Sequence, residues 1–320
     1  MPHPTAAAAM TDQTVWITGA GGFIGRALAV HLAGPGAQVL GLGHGGLSPG
    51  PPGLSHWIAG DLNAEHMDTL LAAGGPPHAV YHLAGGASVG AAEADPVADF
   101  HRTVTSTALL LDWLRRASPA SRVVAVSSAA VYGAGHAGPI AETAPTRPVS
   151  IYGRHKLEME TLCAVHAREY GQPIAIGRLF SVYGAGLRKQ LLWDLSARLA
   201  AAPAALELSG TGEELRDWTS IDDIVRVLPA LAQIASPACP TLNVGAGRGV
   251  RVRDIAGLAL AAWPSPARLS FNGAARPGDP FSLIADTTRL SALGIACAVQ
   301  AEDGVARYIG WSRAQTGVDA

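Results

Sequence analysis

The stretch WITGAGGFIGRALAV, Trp16–Val30, sets three glycines into an otherwise apolar run. Gly19, Gly22 and Gly25 recur every three residues, directly after residues that suit a buried strand. Beyond them, apolar residues recur at helical spacing. A glycine-rich turn from a strand into a helix lets backbone N–H groups approach a phosphate at the positive end of the helix. The stretch therefore predicts a dinucleotide-binding turn, with an ordinary glycine-rich turn as the alternative.

The length and charge of the chain narrow the class of protein. Its 320 residues can bury one large core with a smaller appended domain. The 23 basic and 25 acidic residues nearly balance, so neither nucleic acid nor an anionic membrane is an expected partner. No apolar run reaches the roughly 18 residues of a membrane span, and no zinc-ligand spacing appears, so we expect no metal. The 3 scattered cysteines favour a reducing, cytoplasmic location.

Short apolar runs that alternate with helical patterns predict an α/β fold: a doubly wound parallel Rossmann sheet with a smaller C-terminal α/β substrate domain. The predicted strands are Val15–Thr18, Gln38–Leu42, Trp57–Ala59, Ala79–Leu83, Arg122–Ser127 and Ile174–Leu179. The predicted helices are Gly25–Leu32, Ala64–Ala73, Pro96–Ala117 and Tyr152–Tyr170, with two more at 191–201 and 220–235 before a strand and turn at 241–247.

The same pattern predicts the domain organisation. We expect residues 1–12 to form a disordered tail and residues 13–182 to form the dinucleotide-binding domain. Residues 183–320 are expected to form mainly the substrate-binding domain, partly interleaved with the first. Ligands of such sheets bind beyond the carboxyl ends of the strands, and the motifs below fall at such ends.

Two segments predict a catalytic group. VVAVSSAAVYG, residues 123–133, places Ser127 and Ser128 at the end of a buried strand. SIYGRHKLEMETL opens a helix with Tyr152 and Lys156 one turn apart, on one helix face. A tyrosine titrates near 10 in water, but a nearby ammonium and an oxidised nicotinamide favour its phenolate. Ser128, Tyr152 and Lys156 can then move a proton while a nicotinamide moves a hydride.

A Tyr–Lys pair at this spacing is, taken alone, most often a solvated helix surface. In combination with the glycine turn and the serine-terminated strand, the chain resembles the extended short-chain dehydrogenase/reductases. Within them it is similar to the NAD-dependent epimerase/dehydratase group typified by UDP-galactose 4-epimerase. The motifs that carry the resemblance run from about Val15 to Trp311 and read TGAGGFIG, GDL, YHLAG, SSAAVYG, YGRHK, GRLFSVYG, RDWTSIDDI and ARPGD.

The resemblance implies a role for each matching residue. Implied catalytic residues are Ser128, Tyr152 and Lys156. Implied cofactor-binding residues are Gly19, Gly22, Phe23, Ile24 and Gly25 at the pyrophosphate, Asp61 and Leu62 by the adenine, Leu83 and Ala84 on the nicotinamide side, and Ser127, Tyr152, Lys156 and Phe180. Implied substrate-binding residues are Ser128, Ser181, Arg216 and Arg276. The two arginines suit a nucleotide diphosphate, because a guanidinium binds phosphate oxygens in pairs, with a surface ion pair as the alternative.

The adenosine end departs from the family pattern. Gly43 stands where NAD-specific relatives carry an aspartate for the ribose 2′-OH. Without that carboxylate a 2′-phosphate is not repelled, yet no arginine follows. His44 is a weak substitute for one, with an ordinary loop residue as the alternative. The implied cofactor is therefore NAD or NADP.

Further departures from the family pattern limit the reactions that we expect. Ala129 and Ala130 stand where dehydratases carry an acidic pair and decarboxylating relatives keep a glutamate. Alanine exchanges no proton, so both reactions are disfavoured and hydride transfer at C4 of a nucleotide-diphosphate sugar is left. A 4-epimerase is the favoured prediction, a 4-keto-sugar reductase the alternative, and a non-catalytic dinucleotide sensor a distant one. Thr103 stands where the family commonly has asparagine.

The resemblance also implies a homodimer. Relatives pair two long helices into a four-helix interface, and the predicted helices Pro96–Ala117 and Tyr152–Tyr170 correspond to them. Packing of these helices within a single chain is the alternative.

Overall fold

The computed structural model describes residues 13–45, 50–274 and 280–316. Two compact units divide the chain. The first contains the described residues up to Gly133, together with Ala144–Leu179 and Val225–Asn243. The second contains Ala134–Thr143, Phe180–Ile224 and the described residues from Val244 onward. Arg276 and the predicted tail at residues 1–12 lie outside the described residues.

Thirteen strands are assigned within the described residues. They are β1 (Thr14–Thr18), β2 (Gln38–Gly43), β3 (His56–Ala59), β4 (Ala79–His82), β5 (Arg122–Ser128), β6 (Ile174–Leu179), β7 (Ser181–Tyr183), β8 (Ala205–Leu208), β9 (Leu215–Ser220), β10 (Thr241–Val244), β11 (Gly249–Arg251), β12 (Arg268–Phe271) and β13 (Ser282–Leu283). The six strands predicted before residue 180 all form, with ends within one residue of the prediction.

The described residues contain the six helices predicted from the sequence, one of them interrupted, and four further helices that were not predicted. They are α1 (Phe23–Ala33), α2 (Ala64–Gly74), α3 (Val89–Ala94), α4 (Pro96–Phe100), α5 (Ser106–Ala117), α6 (Ile151–Tyr170), α7 (Gln190–Ala200), α8 (Ile221–Ile234), α9 (Val252–Ala262), α10 (Thr288–Ala292) and α11 (Ala301–Thr316). A π-helical turn, His101–Thr105, joins α4 to α5, so the single helix predicted over Pro96–Ala117 contains one widened turn. A 3₁₀ turn, Ala129–Val131, follows β5.

The first unit is built on a seven-stranded sheet in the order β10-β6-β5-β4-β1-β2-β3. The pairings from β3 to β6 are parallel, which confirms the predicted doubly wound Rossmann sheet. The strand predicted at 241–247 is β10, and it joins this sheet beside β6. The order reverses between β1 and β4, where ligands of such sheets bind beyond the strand ends.

The core of this unit lies between the sheet and its helices. Strand residues such as Trp16 and Val80 pack with Leu110 of α5 and Met159 of α6, all fully buried. Trp16 also contacts Trp113, with ring centroids 5.3 Å apart. Parallel strands are covered on both faces, which explains their nearly continuous apolar sequences.

The residues at the two ends of α6 fix where this helix begins and where it ends. The Ser150 hydroxyl accepts a hydrogen bond from the Gly153 N–H at 3.1 Å, which caps the first turn. Gly171 ends the helix with φ +69°, a left-handed conformation that favours glycine. Tyr152 and Lys156 are therefore carried on the first two turns of a helix with defined ends.

The second unit holds two small sheets. One contains β7, β9, β11 and β13, and the other pairs β8 with β12. Asp217 of β9 is fully buried and accepts hydrogen bonds from the N–H groups of Ala246, Gly247 and Ala285. Burial raises the pKa of this carboxyl, and the hydrogen bonds oppose that effect. The Asp217 carboxylate thus joins three segments of this unit.

None of the helices in the described part of the chain has the length and apolar character of a membrane span. The same residues hold no cluster of three histidine, cysteine or acidic side chains suited to a metal ion.

Substitution of Gly25 tests how tightly the glycine turn packs against α1. A Cβ at this position would lie 2.7 Å from the Cα of Ala20 and would overlap the carbonyl oxygen of Gly19. Because backbone atoms cannot move aside, we expect Gly25→Ala to lower the free energy of unfolding by about 1 to 3 kcal/mol in chemical denaturation. Gly34→Ala, at the end of the same helix, is the control. Its Cβ would have its nearest neighbour at 3.6 Å, so its stability should equal or slightly exceed that of the wild type. Equal stability of the two variants would contradict the tight packing.

Candidate active site

The glycine turn lies directly against the end of β4. Gly19 has φ +72°, and a Cβ on it would lie 2.7 Å from the Ala84 nitrogen and 2.8 Å from the Leu83 carbonyl carbon. The structure thus brings the predicted pyrophosphate turn to the two residues predicted on the nicotinamide side. Gly22 precedes α1 without a side-chain cap, so the first N–H groups of the helix remain for an anion. This arrangement fits a dinucleotide pyrophosphate.

The adenosine end of the predicted site holds an exposed contact between a histidine and a carboxylate. His44 Nε2 lies 2.8 Å from Asp61 Oδ1, and the two side chains are 65% and 82% exposed. A Cβ on Gly43 would lie 3.2 Å from the Gly19 Cα, so the glycine leaves room for the turn. Leu62 packs against the core of the first unit. His44 and Asp61, both predicted at the cofactor, therefore lie together.

Ser128, Tyr152 and Lys156 converge at the end of β5. The Ser128 hydroxyl is placed to donate a hydrogen bond to the ionised phenol of Tyr152. Lys156 Nζ lies 5.9 Å from the centre of the Tyr152 ring and donates to the Val126 carbonyl at 3.0 Å. The structure thus brings together the three residues that the sequence predicted as catalytic.

The electrostatics of these side chains follow from their burial. Desolvation raises the pKa of Tyr152, and the hydrogen bond from Ser128 acts in the opposite direction. Desolvation lowers the pKa of Lys156 to about 8, although the carboxylates of Asp99 and Glu160 favour its charged form. An ammonium with this pKa can hold a proton at neutral pH and release it without a large cost.

A buried chain of hydrogen bonds lies beside Ala84, one of the two residues predicted on the nicotinamide side. The Gly86 N–H donates to Thr103 Oγ1 at 2.8 Å, and Thr107 Oγ1 donates to the Thr103 carbonyl at 2.6 Å. His82 Nε2 lies 2.9 Å from Thr107 Oγ1, and its Nδ1 lies 2.7 Å from Thr18 Oγ1. Desolvation lowers the pKa of His82 to about 3, so its ring is neutral. Sequence reasoning missed this chain, which joins β1, β4 and the π-helical turn.

A second buried network lies behind Ser128. Ser127 Oγ donates to Glu160 Oε1 at 2.5 Å, and Arg178 donates to both oxygens of Glu160, at 2.9 and 2.6 Å. Arg178 Nη1 also donates to the Tyr132 hydroxyl at 2.9 Å, which donates to Asn243 Oδ1 at 2.6 Å. Cofactor binding by Ser127 stays a prediction. The sequence could have pointed to Arg178, because it is a charged residue inside the otherwise apolar strand IAIGRL.

The remaining predicted residues lie in the second unit. Phe180 is buried, and its N–H donates to the Val244 carbonyl at 3.2 Å. Ser181 of β7 is paired with Trp218 of β9. Arg216 donates through Nη1 to the Leu215 and Phe281 carbonyls, at 2.9 and 3.3 Å. Their roles at a cofactor or substrate stay predictions, as does that of Arg276.

Comparison with known proteins decides the family. The sequence model of the NAD dependent epimerase/dehydratase family matches residues 15–245. The chain belongs to this family. That match covers the glycine turn, both serines of β5, and the whole of α6.

Several members of the family are similar over nearly their full length. A UDP-glucose 4-epimerase of Azospirillum brasilense is 28% identical over 95% of this chain and 94% of its own. A dTDP-glucose 4,6-dehydratase of Streptomyces griseus is also 28% identical, over 92% of each chain. Among solved structures, MoeE5 in complex with UDP-glucose and NAD is 31% identical, with a TM-score of 0.82 over 94% of this chain and 99% of its own. Family membership makes this chain an NAD-dependent enzyme of the epimerase/dehydratase type.

The Glu160–Arg178 pair tests the second network. Both side chains are less than a tenth exposed. Glu160→Gln leaves the Arg178 guanidinium buried without its carboxylate, so we expect the free energy of unfolding to fall by about 3 kcal/mol in urea denaturation. Glu158→Gln changes an exposed residue of the same helix and should stay within about 0.5 kcal/mol of the wild type. The network would not be stabilising if both variants unfolded at the same urea concentration.

Proposed function

We propose that this enzyme is an NAD-dependent 4-epimerase of a nucleotide-diphosphate sugar. The observation that carries the proposal is the convergence of Ser128, Tyr152 and Lys156 at the end of β5, with Lys156 Nζ 5.9 Å from the centre of the Tyr152 ring. The alanines of the 3₁₀ turn support epimerisation over dehydration. Ala129 and Ala130 follow the catalytic serine directly, and neither can give or take the proton that an elimination requires.

The chain's own residues supply the proton transfers. Tyr152, as phenolate, removes the proton from the 4-hydroxyl of the sugar, and Ser128 hydrogen-bonds the same oxygen. The Lys156 ammonium stabilises the phenolate. NAD, when bound, would supply reversible hydride transfer at C4 of the sugar. Tyr152 then gives the proton back, so the cycle needs no net proton or reductant.

The glycine turn and the open first turn of α1 would hold the cofactor pyrophosphate. NAD is the proposed cofactor, because the family is NAD-dependent and its solved relative MoeE5 contains NAD. Gly43 supplies no carboxylate against a 2′-phosphate, so we expect only weak discrimination against NADP. The same position supports the second candidate function, an NADPH-dependent reductase of 4-keto sugars.

We also propose a cytoplasmic homodimer. Apolar side chains on α4, α5 and α6 are exposed and would be covered by a second copy; they are Val97, Phe100, Leu109 and Val165. The three cysteines are free, which fits a reducing compartment. Gel filtration with light scattering would test the dimer.

A panel of sugar nucleotides tests the reaction. The purified protein is incubated with UDP-, dTDP-, GDP- and CDP-hexoses, with and without NADPH, while reduced-nicotinamide absorbance and product identity are followed. Conversion of a hexose to its C4 epimer without net absorbance change supports the epimerase. NADPH oxidation in step with product supports the reductase instead. Absence of any conversion across the panel would overturn both.

Tyr152→Phe tests the base. The ring keeps its packing but loses the hydroxyl, so we expect unchanged NAD binding and a fall in kcat of at least about 100-fold. Tyr170→Phe is the matched control, because Tyr170 ends the same helix with its side chain 55% exposed. It should turn over like the wild type. Normal turnover by Tyr152→Phe would remove Tyr152 from the mechanism.

Arg216→Ala tests the proposed diphosphate contact. Loss of a guanidinium bound to phosphate should raise KM for the sugar nucleotide by about 10-fold or more, with the dissociation constant of NAD unchanged. Arg253→Ala removes an arginine of the same unit that pairs with Glu213, and it should leave KM unchanged. Equal weakening of NAD and sugar-nucleotide binding by Arg216→Ala would contradict the contact.

A further inference from the structure

A buried histidine that the proposed mechanism does not use ends strand β4. His82 is 1% exposed and lies between two threonine hydroxyls. Its Nδ1 lies 2.7 Å from Oγ1 of Thr18, the last residue of β1, and its Nε2 lies 2.9 Å from Oγ1 of Thr107 in α5. Each ring nitrogen therefore has a hydroxyl partner, and the direction of each hydrogen bond depends on which nitrogen carries the proton.

The outer partners of the two threonines fix the position of that proton. Thr107 Oγ1 donates its hydrogen to the Thr103 carbonyl at 2.6 Å, so toward the ring it can only accept. Nε2 of His82 therefore carries the proton. Burial lowers the pKa of this imidazole to about 3, so the ring is neutral and Nδ1 is bare. Nδ1 accepts from the Thr18 hydroxyl, whose oxygen accepts from the Ala84 N–H at 3.3 Å.

One directional chain of hydrogen bonds results. It runs from the Ala84 N–H to the Thr103 carbonyl, and each of the three side chains between them accepts one hydrogen bond and donates one. The opposite tautomer of His82 would take the hydrogen of Thr107 away from the Thr103 carbonyl and leave that link unmade. A side chain that can neither accept nor donate would break the chain in the middle and leave buried polar groups unpaired.

The chain holds one of two N–H groups by which the loop after β4 is fastened. The other belongs to Gly86 and donates directly to Thr103 Oγ1 at 2.8 Å. Thr103 therefore fastens the loop at two points: through its own hydroxyl at Gly86, and through its carbonyl and the His82 chain at Ala84. Thr103 lies in the π-helical turn and is fully buried, so water does not compete for either contact.

The loop fastened in this way touches both halves of the predicted site. A Cβ on Gly19 would lie 2.7 Å from the Ala84 nitrogen, so the loop and the glycine turn are in backbone contact. On its other side, a Cβ on Gly85 would lie 3.0 Å from Lys156 Nζ. A shift of the loop would therefore change the space between the glycine turn and the predicted catalytic lysine.

We propose that His82 is a positioning residue for the cofactor: with its proton on Nε2, it orients the Thr18 hydroxyl, which holds the Ala84 backbone against the glycine turn. The inference rests on the proposed place of NAD at that turn. His82 acts through Thr18, because it is the Thr18 oxygen that meets the Ala84 N–H. Thr18 directly precedes Gly19, so the same hydrogen bonds restrain the start of the turn.

Nitrogen NMR of the full chain, labelled at its histidines, tests the tautomer. The signals of His82 are those that disappear in His82→Leu. The wild type should show a proton on Nε2 and a bare Nδ1, with no change between about pH 5.5 and about pH 8.5. A proton on Nδ1, or titration of this ring within that range, would overturn the proposal.

Calorimetric titration with NAD, without a sugar nucleotide, tests the positioning. His82→Leu can neither accept from Thr18 nor donate to Thr107, so we expect the dissociation constant of NAD to rise by about 10-fold. Thr18→Val should raise it similarly, whereas Thr18→Ser restores the hydroxyl and should recover most of the affinity. The double variant of His82→Leu and Thr18→Val should bind NAD about as well as either single variant, because both changes break one chain. Wild-type affinity in His82→Leu, or losses that add in the double variant, would overturn the proposal.

The matched control is Ser121→Ala. Ser121 is also buried, and its hydroxyl donates at 2.6 Å to the carbonyl of Pro77, which precedes the amino end of β4. Loss of this bond should lower stability but leave the dissociation constant of NAD unchanged, because the loop lies at the other end of the strand. A rise as large as that of His82→Leu would indicate a general loss of order and would overturn the proposal.

Two further outcomes keep the test decisive. If His82→Leu does not fold, Thr18→Val and Thr18→Ser decide, and equal dissociation constants for these two variants overturn the proposal. Wild-type affinity for NAD in every variant would overturn the role of His82 and leave the epimerase proposal intact. Absence of NAD binding by the wild type would overturn both.

Discussion

The fixed register of α6 against the end of β5 is the constraint on which the site depends. Tyr152, Lys156 and Glu160 follow one another at intervals of four residues, so they form one stripe on the helix. Glu160 is bonded to Ser127 and to Arg178, which ties the stripe to β5 and β6. A rotation of α6 would separate the phenol from its serine and break a buried ion pair at once. The catalytic spacing is therefore held by a residue that takes no part in the chemistry.

Much of the first unit could be predicted, because its physical causes are local in the sequence. Parallel strands covered on both faces are short apolar runs, and glycine is required where the turn meets the backbone at Leu83. The π-helical turn His101–Thr105 was missed, since one extra residue barely disturbs a 3.6-residue pattern. The place of β10 beside β6 was also missed. A four-residue strand carries no information on its partner, which the tertiary fold selects.

The residues of the candidate site also fall into those that the sequence could reveal and those that it could not. The convergence of Ser128, Tyr152 and Lys156 was predictable, because strand ends and helix turns bring residues together by rules that their spacing reveals. Asp99, His82 and Glu160 were not, because a polar residue in a helix or strand reads as solvated until the fold buries it. Their effect on the site comes from desolvation, which depends on residues distant in the chain. Only Arg178, a charge within an apolar strand, differed visibly from its surroundings.

The two ends of the predicted dinucleotide site differ in how firmly their side chains are held. At the catalytic end, hydrogen bonds and ion pairs are buried, so a single change leaves an uncompensated polar group and costs several interactions together. At the adenosine end, His44 and Asp61 are mostly exposed, and water screens their attraction, so the pair contributes little to stability. Changes at the predicted adenosine end would therefore alter the choice between NAD and NADP without disturbing the fold. Changes at the predicted catalytic end alter the fold and the chemistry together. Glu160 stabilises the fold and lies next to the predicted catalytic residues.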